Sequence, residues 1–350
     1  MHRKLTRRRK LYLSCLIAAV VLQVLRKLLS WSHKRSVLSW TRSFEAPSLS
    51  IHVLTCCRPL SLERLLDSLA GAEYGASKDI DLNIEIDWSF DRQVALQVRR
   101  LVQEFDWPHG KMRVHKRLRN AGLAISWIEL NYDVSRHYLM VLEDDMQVSP
   151  YYYDFLRVIH GLGYLQSSSR TALCLHPNDW QISVKTSCRL EMGSKILYDT
   201  PEPCNWAPVW KTRSWVEYVD WVHEMTAEGK KPYVPDINNI SYSYNSYIDS
   251  NVDVQSPWVW RYNWEHSKLQ VRYSFIRCGL EVAERYFAIN HKEPGSHFKR
   301  KIDLENDPSL LKSTHLQFFG PLYKHHHSTV GWLHPAQFGK DMLMKRRVHG

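Results

Sequence analysis

Three consecutive acids follow an apolar run and could hold a divalent cation. Residues 138–142 are apolar, as in a buried strand, and Glu143, Asp144 and Asp145 come directly after them. Negative charge concentrated at one edge of a sheet is tolerated when a divalent cation and its phosphate ligands lie there, because hard cations prefer carboxylate oxygen. Three acids alone also match many solvated loops between a strand and a helix, so the residues by themselves leave both interpretations open.

The elements around these acids predict how they are positioned. Ser149 and Pro150 suit an N-cap and a first helical position, so a helix is expected to follow through Phe155 and Val158. Strands and helices alternate along the chain, which predicts an open, mostly parallel α/β sheet flanked by helices. The predicted strands are 49–55, 80–88, 112–115 and 171–175, and the predicted helices are 59–69, 92–105 and 125–130.

Polar residues recur where the predicted strands end. In open α/β sheets ligands bind beyond the carboxyl ends of the strands, so these side chains are expected to converge on one edge. Each has an ordinary explanation when taken alone: Asp87 as a turn residue, Arg58 as a surface cation. Their joint placement favours a ligand site. The residues are Arg58, Asp87, Asn120, Glu143, Asp144, Asp145 and Asp179.

The positive charge of the chain is concentrated in its leader. The formal net charge is +11, but ten basic residues precede Ser36 and no acid precedes Glu45, so the remainder is nearly neutral. A nucleic-acid-binding domain would carry its basic residues on a folded face. Nucleic acid is therefore not an expected partner.

The leader itself predicts a membrane anchor. Residues 11–29 are mostly apolar, and about 20 such residues span a bilayer. Six basic residues lie in the segment 1–10, which predicts a cytosolic N-terminus and a lumenal body. A cleaved signal peptide is the alternative, although Trp31 and His33 stand where small residues would be expected. A polar stem is predicted at 30–48.

Cysteine usage agrees with a lumenal body. The chain has seven cysteines, of which Cys15 lies in the apolar leader. Cys188 and Cys204 flank a polar stretch and are candidates for a disulfide, although sequence does not fix the pairing.

Several segments resemble glycosyltransferases of the GT-A fold. The opening Cys57-Arg58-Pro59, the Asp at the end of the second strand and the turn 119–123 match that fold, and the block 142–150 resembles the Glu-Asp-Asp segment of Golgi N-acetylglucosaminyltransferases. The runs 205–210 and 289–297 look like those of poorly characterised, family 2-like GT-A proteins of plants, algae and protists. The resemblance implies a GT-A domain at 49–300 and a C-terminal extension at 301–350.

The resemblance implies a metal site. In such enzymes Asp145 would bind Mn²⁺, or Mg²⁺, bridging the two phosphates of a nucleotide-sugar donor, which is expected to be UDP-linked. Glu143 and Asp144 would orient the ribose and the donor sugar. A late histidine completes the metal site in many GT-A enzymes, and His291 and His297 are the candidates here.

The remaining nucleotide contacts are carried over in the same way. Asp87 would hydrogen-bond the uracil or ribose, with Arg58 near the nucleotide, and Asn120 to Gly122 would shape the neighbouring loop. The physical task of the site would be to neutralise the charge that accumulates on the departing diphosphate.

The catalytic base is where the chain departs from the family. The Golgi enzymes carry paired Asp residues between aromatics, and the nearest stretch here, 258–265, lacks that pair. Asp253 and Glu265 are the candidates for the carboxylate that deprotonates the acceptor hydroxyl, with Asp179 as a third.

Taken together, the sequence predicts a single-pass type II protein of the Golgi or ER membrane. Its lumenal domain would transfer a sugar, with inversion, to a glycan or glycoprotein. A non-catalytic lectin-like or scaffold protein that kept the fold is the alternative, since the sequence does not decide among the base candidates. A metal-dependent phosphohydrolase is a further rival, but no phosphate nucleophile or second metal cluster is evident in the sequence.

Overall fold

The first half of the chain builds four parallel strands of one sheet. The computed structural model describes residues 44–176, 197–234, 239–273, 285–286, 288–290 and 331–332. All of these except Phe44 belong to one compact unit, Glu45–His334. The elements of this half are β1 (Leu49–Thr55), α1 (Pro59–Ala70), β2 (Ile80–Ile86), α2 (Arg92–Glu104), β3 (Met112–Lys116), α3 (Leu123–Ile128) and β4 (Tyr138–Glu143).

The apolar periodicity of these segments explains why they pack as they do. Alternate residues of β2, beginning with Ile80 and Leu82, are fully buried on one face of the sheet. The α1 leucines Leu62, Leu65 and Leu69 recur at helical spacing and are also fully buried. Each such side chain contributes on the order of 2 kcal/mol when removed from water. The predicted strands and helices of this half are confirmed, with ends shifted by a few residues at most.

The second half extends the sheet with strands of both directions. Its elements are β5 (Met146–Val148), α4 (Tyr152–Gly161), β6 (Arg170–Cys174), β7 (Leu197–Thr200), β8 (Pro208–Lys211), α5 (Thr212–Ala227), α6 (Asn239–Asp249), α7 (Ser256–Glu265) and β9 (Leu269–Tyr273). β8 pairs antiparallel with both β4 and β6, β9 is parallel to β6, and β7 is antiparallel to β9. The sheet described therefore has eight strands, in the order β3-β2-β1-β4-β8-β6-β9-β7.

The predicted open α/β sheet is confirmed, but its parallel character holds mainly for the first four strands. β8 enters next to β4 in the opposite direction and inserts Val209 and Trp210 into the core. This strand was not predicted, because four residues beginning with a proline give no periodicity.

Two further pairs of short strands involve later parts of the chain. β11 (Ala288–Asn290) pairs antiparallel with β5, directly after the acids. β10 (Arg285–Tyr286) pairs with β12 (Gly331–Trp332), so part of the predicted C-terminal extension returns to the segment before residue 300.

No helix among the described residues is long and apolar enough to cross a membrane. The predicted tail 1–10 and anchor 11–29 lie outside the described residues, as does the predicted stem 30–48 up to residue 43. These assignments remain predictions.

The disulfide joins Cys204 to Cys174, not to Cys188. Cys174 ends β6, and β6 lies antiparallel to β8, with Cys174 opposite Pro208. The chain reaches Cys204 shortly before β8 begins, and the two Cα atoms are 5.6 Å apart. Sheet pairing, which the sequence did not reveal, therefore selects the partner. Cys188 lies outside the described residues.

Removing this bridge is expected to lower the free energy of unfolding by about 2–4 kcal/mol, because the cross-link constrains the unfolded chain. The double variant Cys174→Ser/Cys204→Ser should show this loss in denaturant unfolding. Cys188→Ser should leave the bridge between Cys174 and Cys204 intact in a non-reducing peptide map. Loss of that bridge in Cys188→Ser would contradict the pairing.

One face of β1 and β2 carries a buried polar network. His52 is fully buried, with its Nε2 2.9 Å from Ser50 Oγ and its Nδ1 3.3 Å from Glu85 Oε1. Asn83 donates to Ser50 Oγ at 3.0 Å. Burial lowers the pKa of His52 below its usual value, and the hydrogen bond to Glu85 opposes this only in part. His52 is therefore neutral near neutral pH.

This histidine should make the fold sensitive to acid. The unfolded chain takes up a proton at about pH 6.5, whereas folded His52 does so only at lower pH, so stability falls as pH decreases below about 6.5. Denaturant melts from pH 7.5 to 5 should show a weaker pH dependence in His52→Gln than in the parent. The exposed His223 provides the control, since His223→Gln should keep the parent's slope. An unchanged slope in His52→Gln would contradict the prediction.

Candidate functional site

The acids lie at the point where the strand order of the sheet changes direction. From β1 the chain proceeds outward through β2 and β3 on one side, and β4 then adds on the other side. The segments that follow β1 and β4 meet beyond these strands, since Val148 N in the strand after the acids donates to Ser68 Oγ in α1 at 3.1 Å. The acids therefore lie at the carboxyl ends of the strands, which is where open α/β sheets bind ligands. Thr55 ends β1 and Glu143 ends β4.

Asp144 is fixed by contacts from β1. Its N–H donates to Leu54 O at 3.0 Å, and Thr55 Oγ1 donates to its Oδ2 at 2.8 Å. Arg58 Nη2 makes an ion pair with the other carboxylate oxygen. Asp144 is only 2% exposed, so its orientation is set by the protein and not by solvent.

Arg58 joins Asp144 to Asp145. Its Nη1 lies 3.1 Å from Asp145 Oδ2, so one guanidinium spans two carboxylates. Asp145 is 7% exposed. The predicted convergence of Arg58 with the acids is thus present in the structure.

Glu143 completes the acidic group. Trp127 Nε1 lies 3.4 Å from Glu143 Oε1. Burial raises the pKa of Glu143 to about 8, and the charge of Asp145 adds to the shift. Burial also raises the pKa of Asp144 to about 6, in spite of the opposing charge of Arg58. Burial is therefore the main reason that the anionic forms of Glu143 and Asp144 are destabilised, and the neighbouring carboxylates add to it.

The acidic group suits a divalent cation by its donor chemistry. A bound cation would stabilise the anionic forms of Glu143 and Asp144, whose pKa values burial raises. Among the described residues, no three His, Cys, Asp or Glu side chains are arranged to hold a metal ion by themselves. Asn290 pairs with Met146, but the predicted ligands His291 and His297 lie outside the described residues.

Asp87 positions the loop that follows β3. Its carboxylate accepts from the N–H groups of Trp88 at 2.8 Å, Ala121 at 3.0 Å and Gly122 at 3.2 Å. Asn120 Nδ2 donates to Trp88 O at 3.1 Å. The predicted residues Asp87, Asn120 and Gly122 thus form one connected group. Contact of Asp87 with a nucleotide remains a prediction.

Asp253 meets the same loop from the second half of the chain. It lies between α6 and α7, and its carboxylate accepts from Leu123 N and, at 3.1 Å, from Ala124 N. Gly122 has φ 82°, and a Cβ there would lie 2.2 Å from Asp253 Oδ2. Only glycine fits both the backbone conformation and the close approach. The structure therefore brings Asp253 to the edge where the other candidates lie.

Glu265 lies at the opposite edge of the sheet. It ends α7 and pairs with Arg261, whose Nε lies 2.8 Å from Glu265 Oε1. β9 begins four residues later at Leu269 and runs parallel to β6 and hence to β4, so Leu269 lies near the amino ends of those strands. The structure does not bring Glu265 to the acids. Asp179 lies outside the described residues.

Two residues of the site were not predicted. Thr55 and Trp127 each contact one of the acids, but sequence reasoning placed them only within a strand and a helix. For Thr55 a signal was available, since it is a hydroxyl residue that closes an apolar strand at the ligand edge. Trp127 gave none, because its partner depends on how α3 packs on the sheet.

The tryptophans that follow the first half are mainly structural. Trp210 and Trp215 are 1% and 0% exposed and pack with Tyr218, and Trp260 is 4% exposed against Tyr244. Of the tryptophans in this part of the chain, Trp264 is exposed.

Comparisons with known proteins give distant likenesses only. The sequence matches no protein-family model, and no curated protein matches it. Among solved structures, the chain is similar to a mannosyltransferase, PcManGT from Pyrobaculum calidifontis in complex with GDP-Man and Mn²⁺, with a TM-score of 0.36 and 13% identity over 56% of each chain.

A second similar structure is S. aureus TarS 1-349 in complex with UDP-GlcNAc, with a TM-score of 0.31 and 12% identity over 47% of this chain and 45% of that one. The chain spans about half the length of these two structures. At these scores the likenesses assign neither a family nor an activity.

Proposed function

We propose that the protein is a metal-dependent glycosyltransferase of the GT-A fold, which transfers a sugar from a nucleotide diphosphate donor to a glycan or glycoprotein. One observation carries this proposal. Three adjacent carboxylates, Glu143 to Asp145, lie at the carboxyl ends of β1 and β4, where open α/β sheets bind ligands, and burial raises the pKa of Glu143 and of Asp144. The donor would be UDP-linked, and transfer would proceed with inversion.

Asp145 would hold Mn²⁺, or Mg²⁺, together with the phosphates of the donor. The bound cation supplies a positive charge that stabilises the departing diphosphate. Arg58 lies against the same carboxylates, and its planar donors would suit phosphate oxygens of the donor. Thr55 fixes Asp144 for its proposed contact with the donor sugar or ribose.

Asp253 is the base candidate that the geometry favours. It is exposed and lies at the ligand edge, whereas Glu265 lies at the other edge in an ion pair with Arg261. As the base it would take the proton of the acceptor hydroxyl while that oxygen attacks the anomeric carbon. Asp87 would keep the adjoining loop in place and would contact the uracil or ribose.

The protein would be a single-pass type II membrane protein of the Golgi or ER, with the body in the lumen. The basic, apolar leader supports this orientation. The bridge between Cys174 and Cys204 supports it independently, because structural disulfides persist mainly in oxidising compartments.

A thermal-shift screen tests the proposed function. The full-length chain is melted with a panel of nucleotide sugars, each with and without Mn²⁺. A true donor at about 100 times its dissociation constant should stabilise the fold by about 2.7 kcal/mol, and only when the metal is present. Slow Mn²⁺-dependent hydrolysis of the same UDP-sugar should accompany the shift.

A non-catalytic scaffold is the second candidate, and one observation favours it. Arg58 already neutralises part of the charge of Asp144 and Asp145 within the chain. If that ion pair replaces a metal permanently, none of the nucleotides will shift the melting temperature with any divalent cation. That result would exclude the transferase.

A further inference from the structure

A fully buried arginine lies in β9 without an acidic partner. Arg272 is 0% exposed, and its Nη2 donates to two main-chain oxygens, Pro203 O at 2.6 Å and Glu202 O at 3.2 Å. Within the described part of the chain, its Nε and Nη1 have no hydrogen-bond partner and no carboxylate forms an ion pair with it. An arginine side chain stays protonated in a folded protein, so this is a buried positive charge.

Gln270 adds a further donor beside this charge. It lies two positions earlier in β9, so its side chain stands on the same face of the strand, and it is also 0% exposed. Its Oε1 accepts from Cys204 N, which fixes the orientation of the amide, because an N–H group needs an acceptor. Among the residues described, its Nε2 has no partner.

One short segment holds both side chains in place. Residues 202–204 supply the two oxygens that bind Arg272 and the N–H group that binds Gln270. Side chains two positions apart on one face of a strand are neighbours. Three nitrogens that can only donate, Nε and Nη1 of Arg272 and Nε2 of Gln270, are therefore buried side by side.

Glu202 does not supply the missing negative charge. Its main-chain oxygen binds Arg272, but in the described structure its carboxylate is not in ion-pair contact with that guanidinium. Burial raises the pKa of Glu202, and the charge of Arg272 opposes this only in part. A buried charge without a counter-ion is costly. The counter-ion is therefore expected to come from outside the chain.

We propose that Arg272 and Gln270 bind a small monatomic anion of the halide class, chloride, as a resident part of the fold. The ion would accept hydrogen bonds from the three unpartnered donors and neutralise the guanidinium. Complete burial favours a small ion taken up as the fold forms over a phosphate or carboxylate ligand that must enter and leave. A buried water would accept some of these hydrogen bonds but would leave the charge unpaired. This site does not depend on the proposed function.

A melting experiment on the full-length chain tests the site. Sulfate is replaced stepwise by chloride at constant ionic strength. Sulfate strengthens apolar burial in general, so a general salt effect would lower the melting temperature along this series. The site predicts a saturable rise of about 3–6 °C at roughly ten times the dissociation constant of chloride, and bromide should replace chloride. No rise with either halide would overturn the proposal in favour of a buried water.

The variant Gln270→Glu assigns the effect to this site. Its carboxylate can still accept from Cys204 N, and it places a negative oxygen beside Arg272 where the parent has a donor. The variant should therefore melt above the parent without halide and should not respond to chloride. Arg213→Gln is the control, because Arg213 is an exposed arginine of α5, and it should keep the response of the parent. A chloride response in Gln270→Glu equal to that of the parent would refute the assignment.

A direct measurement on the parent covers the case in which Gln270→Glu does not fold. Crystals of the full-length chain grown in bromide are measured at the bromine absorption edge. The anomalous signal should show a bromide in contact with Arg272 Nη1 and Gln270 Nε2. Bromide only at other positions would refute the site, whatever the variants do.

Discussion

Replacing Asp145 with asparagine is expected to reduce Mn²⁺-dependent transfer from the UDP-sugar by about 100-fold or more. Asp145 is almost buried at the carboxyl end of β4 and is the carboxylate proposed to hold the cation, and asparagine keeps its volume while removing its charge. The same variant should lose the Mn²⁺-dependent thermal shift. Initial rates at saturating donor, measured over a range of Mn²⁺ concentrations, provide the measurement.

Asp106 supplies a matched control. It is an exposed aspartate between α2 and β3, near the amino ends of the strands and so at the far edge of the sheet. Asp106→Asn removes the same charge and should leave rate and metal dependence unchanged. Transfer by Asp145→Asn within a few-fold of the parent would show that the cation is not held at this carboxylate.

Replacing Asp253 with asparagine is expected to lower kcat by about 100-fold to 10,000-fold, the range for loss of a general base. Asparagine cannot accept a proton from the acceptor hydroxyl, although its oxygen can still accept one of the hydrogen bonds from Leu123 N and Ala124 N. The KM for the donor should change little. Steady-state kinetics with both substrates varied will separate the two parameters.

The alternative outcome is informative because Asp253 also holds a loop. If it serves only to position residues 122–124, Asp253→Asn will raise the KM for the donor and leave kcat nearly unchanged. Glu265→Gln provides the control: its carboxylate pairs with Arg261 at the opposite edge, so kcat should remain near that of the parent. If Glu265→Gln instead lost most of its kcat while Asp253→Asn kept the kcat of the parent, Glu265 and not Asp253 would be the base.

The sequence by itself determined the local elements and the edge at which the chemistry would lie. Apolar periodicity marks β1, β2 and α1, and the three acids end a buried strand. These signals act over a few residues, where backbone geometry and burial leave little choice. For the same reason the acids, Arg58 and Asp87 could be assigned together, since parallel strands present their carboxyl ends at one edge.

Only the tertiary structure decided which distant residues meet. Arg58 pairs with an acid 87 positions away, Asp253 binds a loop 130 positions away, and Cys204 bonds to Cys174 and not to Cys188. The contact of Arg58 depends on β1 lying beside β4, and the disulfide depends on β8 entering between β4 and β6 in the opposite direction. Strand order follows from the packing of whole elements against one another, which periodicity along a single segment does not encode.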